Sequence, residues 1–263
     1  MKQMTFININ SDISLIKECY KDLILDTLVN SENDVISWKN YSPGVSKKMY
    51  AREFEDLKNN RQYSFLLKNK GFVQFYYDFR NGKLNKAKLA YYPYPVVLKE
   101  SMENVEEYYD TTDDTVLGEY YFDLYKLTET KLGKRISDEE LTEVKNFCEK
   151  FNLEFDEYQI LLDAFEKKYE LTNSSHIRID YDDKVESHHK TEIQYSSINN
   201  IRLPLNKIIS PFLFMDFIVR YEFPEFYNLH RVSTQYRTSY SIAQKHSGNI
   251  KKFEENNIFI SHV

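Results

Sequence analysis

A hairpin signal in the first third of the chain is the feature that most constrains its fold. Residues 62–92 read QYSFLLKNKGFVQFYYDFRNGKLNKAKLAYY, with one short turn ending at Gly71 and a second at Asn81–Gly82. Asn-Gly is favoured in two-residue hairpin turns because both positions need a positive φ angle. The sequence therefore predicts three consecutive antiparallel strands here.

The register implied by this turn pairs Tyr77 with Lys86 and Phe75 with Lys88. Rings and ammonium groups would then alternate on one sheet face, and such a face can stack bases and hold phosphates. Ordinary packing of lysine stems on aromatic rings at a solvated face is the alternative interpretation. Lys86 and Lys88 are therefore candidates for binding nucleic acid.

A second strand pair is predicted from residue 176 onward. In HIRIDYD, alternation sends Ile177, Ile179 and Tyr181 to one face and the polar residues to the other. After a polar loop, KTEIQYS gives another alternating segment. If the two segments pair as a hairpin, four polar side chains share one surface: Arg178, Asp180, Glu192 and Gln194.

This surface suggests metal-dependent cleavage of a phosphodiester. Two carboxylates on adjacent strands, Asp180 and Glu192, are metal-ligand candidates for Mg²⁺, which activates water and stabilises the charge on phosphate. The spacing resembles the Asp…Glu-x-Lys arrangement of restriction-type nucleases. Gln194 stands where that pattern has lysine, so Lys190 or Arg178 would have to supply the cation.

A metal-independent reaction uses other residues of the same stretch. His176, His188 or His189 is a candidate general acid and base, because the pKa of histidine lies near neutrality. Arg178 and Lys190 would then hold the phosphate. An ion-paired, solvent-facing strand without catalytic activity is the third interpretation of these residues.

Helical patterns dominate the segment between the two strand pairs. We expect a mainly helical insertion over residues 100–171, with further helices near residues 11–28 and 46–57 and a buried helix starting at Ser210–Pro211. The sequence thus predicts a single α+β domain over residues 1–263, in which an antiparallel sheet of five or more strands packs against helices.

Charge is unevenly distributed over the chain. Residues 1–100 carry 16 basic and 11 acidic side chains, and residues 101–160 carry 6 and 17, a balance of −11. The acidic segment would repel nucleic acid, so we expect it to face a protein partner or solvent. Near the C-terminus, basic side chains among tyrosines and serines form a second candidate phosphate-contacting surface: Arg231, Arg237 and Lys245.

Two cysteines without metal-ligand spacing favour a reducing cytoplasm. The N-terminus has no charged leader followed by an apolar run, and no stretch of about 18 apolar residues occurs. We therefore expect a cytoplasmic protein that does not associate with membranes.

The order of several motifs carries a family resemblance. LAYYPYP after a hairpin, HIRIDYD followed by the His188–His189 loop, IRLP and ISPFLFMDFIV together resemble the bacterial domain-of-unknown-function family 2290. The resemblance implies a cytosolic bacterial protein, often encoded beside a helicase in anti-phage defence islands. It implies no particular reaction.

The leading hypothesis is thus a defence component that acts with a helicase encoded nearby, with DNA or RNA as its target and Mg²⁺ as its cofactor if it is a nuclease. A non-enzymatic adaptor that binds the helicase or a phage component is one alternative. A toxin-like, metal-independent RNase is the other.

Overall fold

The computed structural model describes seven segments of the chain: residues 4–42, 49–99, 114–131, 139–154, 156–186, 189–195 and 201–249. The chain divides into two compact units. Unit 1 comprises Met1–Tyr94 and Ser174–Val263, and unit 2 comprises Pro95–Asn173. The organisation of the whole chain as a single domain stays a prediction.

Unit 1 is built on an antiparallel sheet of nine strands among the described residues. The two predicted hairpins lie in this one sheet because the second strand of the first hairpin pairs with the first strand of the second. The predicted α+β class is therefore confirmed. The strands are β1 (Ile24–Thr27), β2 (Val29–Glu32), β3 (Val35–Trp38), β4 (Phe65–Leu67), β5 (Phe72–Arg80), β6 (Lys83–Tyr92), β9 (Ile177–Asp182), β10 (Thr191–Tyr195) and β11 (Ile201–Pro204).

Strand order in the sheet is β1-β4-β5-β6-β9-β10-β11, and β3 pairs with both β2 and β5. The β5–β6 turn has φ angles of 52° at Asn81 and 72° at Gly82. Both lie in the left-handed region that a two-residue hairpin turn of this kind requires. The turn prediction is confirmed.

The predicted pairing within this hairpin is wrong by one residue. A bulge at Asn85 shifts the register, so that Tyr76 faces Lys88 and Asp78 faces Lys86, while Tyr77 faces Ala87. A one-residue slip moves side chains to the opposite face of a sheet. Lys86 and Lys88 therefore lie on the polar face with Tyr76, whereas Tyr77 is fully buried in the core.

Helices cover the other face of the sheet. Phe214 packs against Phe75, with ring centroids 6.2 Å apart. Ser210 caps the helix to which Phe214 belongs, as predicted. The helices of unit 1 on this face are α1 (Phe6–Cys19), α6 (Pro211–Glu222), α7 (Pro224–His230) and α8 (Thr234–His246), and β12 (Lys207–Ile208) pairs with β13 (Gly248–Asn249) beside them. Helix α2 (Tyr50–Asn59) instead packs Phe54 on Phe72, on the polar face.

The predicted N-terminal helix begins and ends too late. Thr5 caps α1, and the helix stops at Cys19, where a short 3-10 turn leads into β1. Leu23 and Leu28 therefore lie outside it. The prediction missed the β2–β3 hairpin, whose turn residues Asn33 and Asp34 both have positive φ angles.

Helix α6 contains a buried acid that is paired with polar side chains. Asp216 is 1% exposed and accepts hydrogen bonds from the hydroxyls of Tyr20 at 3.0 Å and Tyr236 at 2.5 Å. Arg220 lies 3.3 Å away, one helical turn later. Asp216 therefore links three elements of the helical layer rather than standing as an isolated charge.

Unit 2 is mainly helical in its described part, as predicted. Lys168 links two of its helices through ion pairs with Glu119 at 3.4 Å and Asp123 at 3.0 Å. Its elements are α3 (Asp114–Lys131), α4 (Glu139–Lys150), α5 (Glu157–Lys168) and a ribbon of β7 (Val96–Leu98) with β8 (Tyr169–Leu171). Across the described residues, no helix is long and apolar enough to cross a membrane.

Candidate functional site

The sheet face opposite the helical layer carries a cluster of charged and amide side chains. Lys88 on β6 faces Asp180 on β9, which in turn faces Glu192 on β10. In the next row, Arg178 faces Gln194, and Gln194 faces Arg202 on β11. The two strands pair as a hairpin, and Arg178, Asp180, Glu192 and Gln194 share one face of it, as predicted. We call six side chains the polar cluster: Lys88, Arg178, Asp180, Glu192, Gln194 and Arg202.

Gln194 lies at the centre of the polar cluster. Its Nε2 donates to Asp180 Oδ2 at 3.1 Å and to Glu192 Oε1 at 2.6 Å. Its Oε1 accepts from Arg178 Nη2 at 2.5 Å. The amide thus bridges both carboxylates and the guanidinium group.

Two arginines neutralise the carboxylates. Arg178 Nη2 lies 2.9 Å from Asp180 Oδ2, and Arg202 Nη1 lies 2.6 Å from Glu192 Oε1. The side chain of Glu192 is only 7% exposed, whereas that of Arg202 is 52% exposed. A buried acid is stable only if it is paired, so Arg202, a residue that the sequence did not single out, is required by Glu192.

Asp180 is a buried carboxylate whose surroundings act on its pKa in opposite directions. Burial raises the pKa of Asp180, while the charges of Arg178 and Lys88 lower it. Its Oδ1 atom is buried and has no hydrogen-bond partner within the described part of the chain. Buried acids with perturbed pKa values are concentrated at functional sites, although ion-paired networks also contain them.

Helix α2 closes one end of the polar face. The ring of Tyr92 stacks on His176 with centroids 4.6 Å apart, and the Tyr92 hydroxyl donates to Glu53 Oε1 at 3.4 Å. His176 Nδ1 lies 3.9 Å from the same Glu53 oxygen. Burial, assisted by the charge of Arg178, lowers the pKa of His176 to about 4, so this imidazole is neutral at pH 7.

Glu53 was missed at the sequence level, although a signal was present. It follows Tyr50 by three residues and therefore lies on the apolar face of α2. An acid on an apolar helix face needs a polar partner in the fold. Burial raises the pKa of Glu53, and the hydrogen bond from Tyr92 and the charge of Arg178 lower it.

The other predicted site residues lie away from the polar cluster or outside the described residues. Lys190 pairs with Asp183 at 2.9 Å, and Lys86 pairs with Asp182 at 2.8 Å on the same face as the cluster. His188 lies outside the described residues. Three candidates are exposed on the helical layer, on the opposite side of the sheet: Arg231, Arg237 and Lys245.

The donor set of the cluster fits an oxygen-preferring divalent cation only in part. Mg²⁺ is commonly held by one or two carboxylates, with water and substrate phosphate completing its shell. Asp180 and Glu192 supply two carboxylates, and rotation of the Gln194 amide would turn its Oε1 towards them. No group of three or more His, Cys, Asp or Glu side chains suited to a metal occurs among the described residues.

Comparison with known proteins identifies a family but no reaction. A family model described as an uncharacterized conserved protein, DUF2290, matches residues 21–262. No curated protein and no solved structure matches the chain. The family match covers unit 2, unit 1 from residue 21 to residue 262, and the entire polar cluster.

Proposed function

The chain belongs to the DUF2290 family, and from this premise we propose that it acts in bacterial anti-phage defence together with a helicase encoded nearby. Within that role, the polar cluster is its phosphodiester-cleaving centre and uses Mg²⁺. The observation that carries this proposal is the direct cross-strand pairing of Asp180 with Glu192.

Four residues of the cluster have a defined role in the proposed reaction. Asp180 and Glu192 would hold the cation, which activates water for attack on phosphorus. Arg178 and Lys88 flank Asp180 and would neutralise the charge that develops on the phosphate oxygens. Arg178 replaces the lysine of the Asp…Glu-x-Lys pattern, because Gln194 occupies that position and carries no charge.

The test compares carboxylates of the same face. Asp180→Asn and Glu192→Gln keep the size of each side chain, and each should reduce Mg²⁺-dependent cleavage of DNA or RNA by about 100-fold or more. Asp182→Asn is the matched control, since Asp182 lies on the same face of β9 but pairs with Lys86. It should retain cleavage and protection in a phage-plating assay.

Full protection by both Asp180→Asn and Glu192→Gln would disprove the metal centre. Loss of protection without cleavage by the purified wild-type protein would instead support a non-enzymatic role. Thermal unfolding of each variant separates loss of the centre from loss of the fold.

The metal-independent RNase receives less support from the geometry. His176 is buried beneath Tyr92, and because its pKa is lowered to about 4, the protonated form that a general acid needs is hardly populated at pH 7. Lys190 is engaged with Asp183 and lies outside the polar cluster. We therefore rank this alternative below metal-dependent cleavage.

An adaptor role is favoured by a separate observation in unit 2. Several large apolar side chains of this unit are exposed, including Phe147 on α4 and Phe151 just after it, at 56% and 55%. Exposed apolar groups in a strongly acidic segment suit a partner protein with a basic, partly apolar surface. The proposed partner is the helicase or a phage component.

Co-purification tests the adaptor role. Phe147→Asp with Phe151→Asp should abolish co-purification with the helicase. The control is Leu229→Asp in unit 1, where Leu229 is 75% exposed. Equal loss in the control, or none in the unit 2 variant, would disprove an adaptor surface on α4.

A further inference from the structure

Two stacked tyrosines lie on the same sheet face as the polar cluster. Tyr41 and Tyr76 have ring centroids 4.8 Å apart and an interplanar angle of 23°. Tyr76 lies on β5 and is partly buried, whereas Tyr41 is the outer ring and is 36% exposed. The sequence did not single out Tyr41, which follows β3 in the chain.

The segment that carries Tyr41 is held in place by a buried glutamine. Gln62 Oε1 accepts from Trp38 Nε1 at 2.9 Å and from the Ser42 backbone N–H at 3.0 Å. Its Nε2 donates to the Asn40 carbonyl at 2.6 Å. Trp38 in turn contacts Tyr41 edge-on, at a centroid distance of 5.0 Å. The outer face of Tyr41 is thus a pre-organised aromatic surface, which lowers the entropy cost of stacking a ligand on it.

A lysine and the carboxylates follow these rings in one row across the sheet. Tyr76 faces Lys88, Lys88 faces Asp180, and Asp180 faces Glu192. Neighbouring strands are about 4.8 Å apart, so the row from Tyr76 to Glu192 spans roughly 14 Å.

Lys88 differs from the other cations of this face. Lys86, Arg178 and Arg202 each pair with a carboxylate on a neighbouring or the same strand. Lys88 is exposed and forms no ion pair with a carboxylate of the described residues, although it lies in the field of Asp180. Unlike Lys86, Arg178 and Arg202, Lys88 can therefore bind a phosphate without first breaking an ion pair of this kind.

We propose that this face binds single-stranded nucleic acid, with a base stacked on Tyr41 and the adjoining backbone phosphate at Lys88. Aromatic stacking requires an unpaired base, which selects a single strand over a duplex. A strand laid along the row passes from the Tyr41–Tyr76 pair towards Asp180 and Glu192. The inference names the substrate class of the proposed cleavage centre, and in that respect it rests on the proposed function.

Binding is measured by fluorescence anisotropy with labelled 12-nucleotide single strands of DNA and of RNA, in EDTA so that no cleavage occurs. Tyr41→Ala should weaken binding at least 5-fold, the lower end expected for loss of one stacked base. Tyr41→Phe keeps the ring and should bind like the wild type. A duplex of equal length should bind at least 10-fold more weakly than the single strand.

Salt dependence tests the phosphate contact separately. Lys88→Ala should lower the slope of log affinity against log salt by about 0.7, the value for one phosphate contact on a single strand. Lys245→Ala, on the helical layer, is the matched control and should leave the slope unchanged. Arg237→Ala is the second control on that layer.

Several outcomes would overturn the inference: equal binding of duplex and single strand, unchanged binding by Tyr41→Ala, or a salt slope that responds to Lys245→Ala and not to Lys88→Ala. Failure of the cleavage centre is distinguishable, because Asp180→Asn would then leave cleavage or protection intact while single-strand binding in EDTA still depended on Tyr41.

Discussion

Units 1 and 2 differ in the proportion of their apolar side chains that is buried. Among the described residues, unit 1 buries 40 hydrophobic side chains and exposes eight large ones, whereas unit 2 buries five and exposes eight. A sheet with a continuous apolar face lies beneath helices in unit 1. Unit 2 has only a two-stranded ribbon and three helices in its described part. Burial thus follows from a large sheet face, and amphipathic helices alone do not achieve it here.

The two units also differ in net charge, since unit 2 is acidic and unit 1 is basic. Unit 2 carries 9 basic and 21 acidic side chains, a balance of −12, and unit 1 carries 26 and 20, a balance of +6. Like charges on short helices oppose close packing, and they also repel phosphate. This difference in charge supports the two proposals, in which unit 1 binds nucleic acid and unit 2 contacts a partner protein.

The largest expected effect is on the core of unit 1. Phe214→Ala removes a ring that is 1% exposed and packs on Phe75. We expect a loss of about 3–5 kcal/mol in the free energy of unfolding, since the cavity cannot collapse fully. Urea unfolding followed by the fluorescence of Trp38, the single tryptophan of the chain and part of unit 1, measures this change. A loss below about 1 kcal/mol would show that this core is not closely packed.

The next effect is a pH dependence that originates in unit 1. The pKa of His176 is lowered from 6.5 to about 4, so the unfolded chain binds more protons between these two values. Its contribution to stability is therefore complete above pH 6.5 and is lost as the pH falls towards 4, by about 3 kcal/mol.

His176→Phe preserves stacking on Tyr92 but cannot titrate, so its unfolding free energy should fall less than that of the wild type between pH 7 and pH 4. Asp180 and Glu53 remain in both proteins, so the difference between the two curves reports on His176. Identical curves would mean that His176 is accessible to water.

The smallest effect is expected in unit 2. Phe147→Ala truncates a side chain that is 56% exposed, so the free energy of unfolding should change by less than about 0.5 kcal/mol. Thermal unfolding followed by far-ultraviolet circular dichroism, which reports on the helices of both units, measures this change. A change comparable with that of Phe214→Ala would remove the contrast between the units.

Local patterns predicted the parts of unit 1 that short-range chemistry controls. The Asn81–Gly82 turn, the Ser210 cap and the shared face of Asp180 and Glu192 all appear as expected. Each depends on residues close in sequence, namely two positive φ angles, one capping hydroxyl and a period of two. The bulge at Asn85 was missed, because its side chain is held by Asp78 on the opposite strand.

By itself, the sequence determined which side chains of HIRIDYD and KTEIQYS share a face, because alternation fixes this wherever one face is buried. Only the tertiary structure decided what stands beside them: Glu53 comes from a helix more than a hundred residues earlier, and Tyr41 reaches the same face through Gln62. The physical reason is that strand period is a local property, whereas the neighbours of a strand are selected by burial of the whole apolar face, to which residues from both ends of the chain contribute.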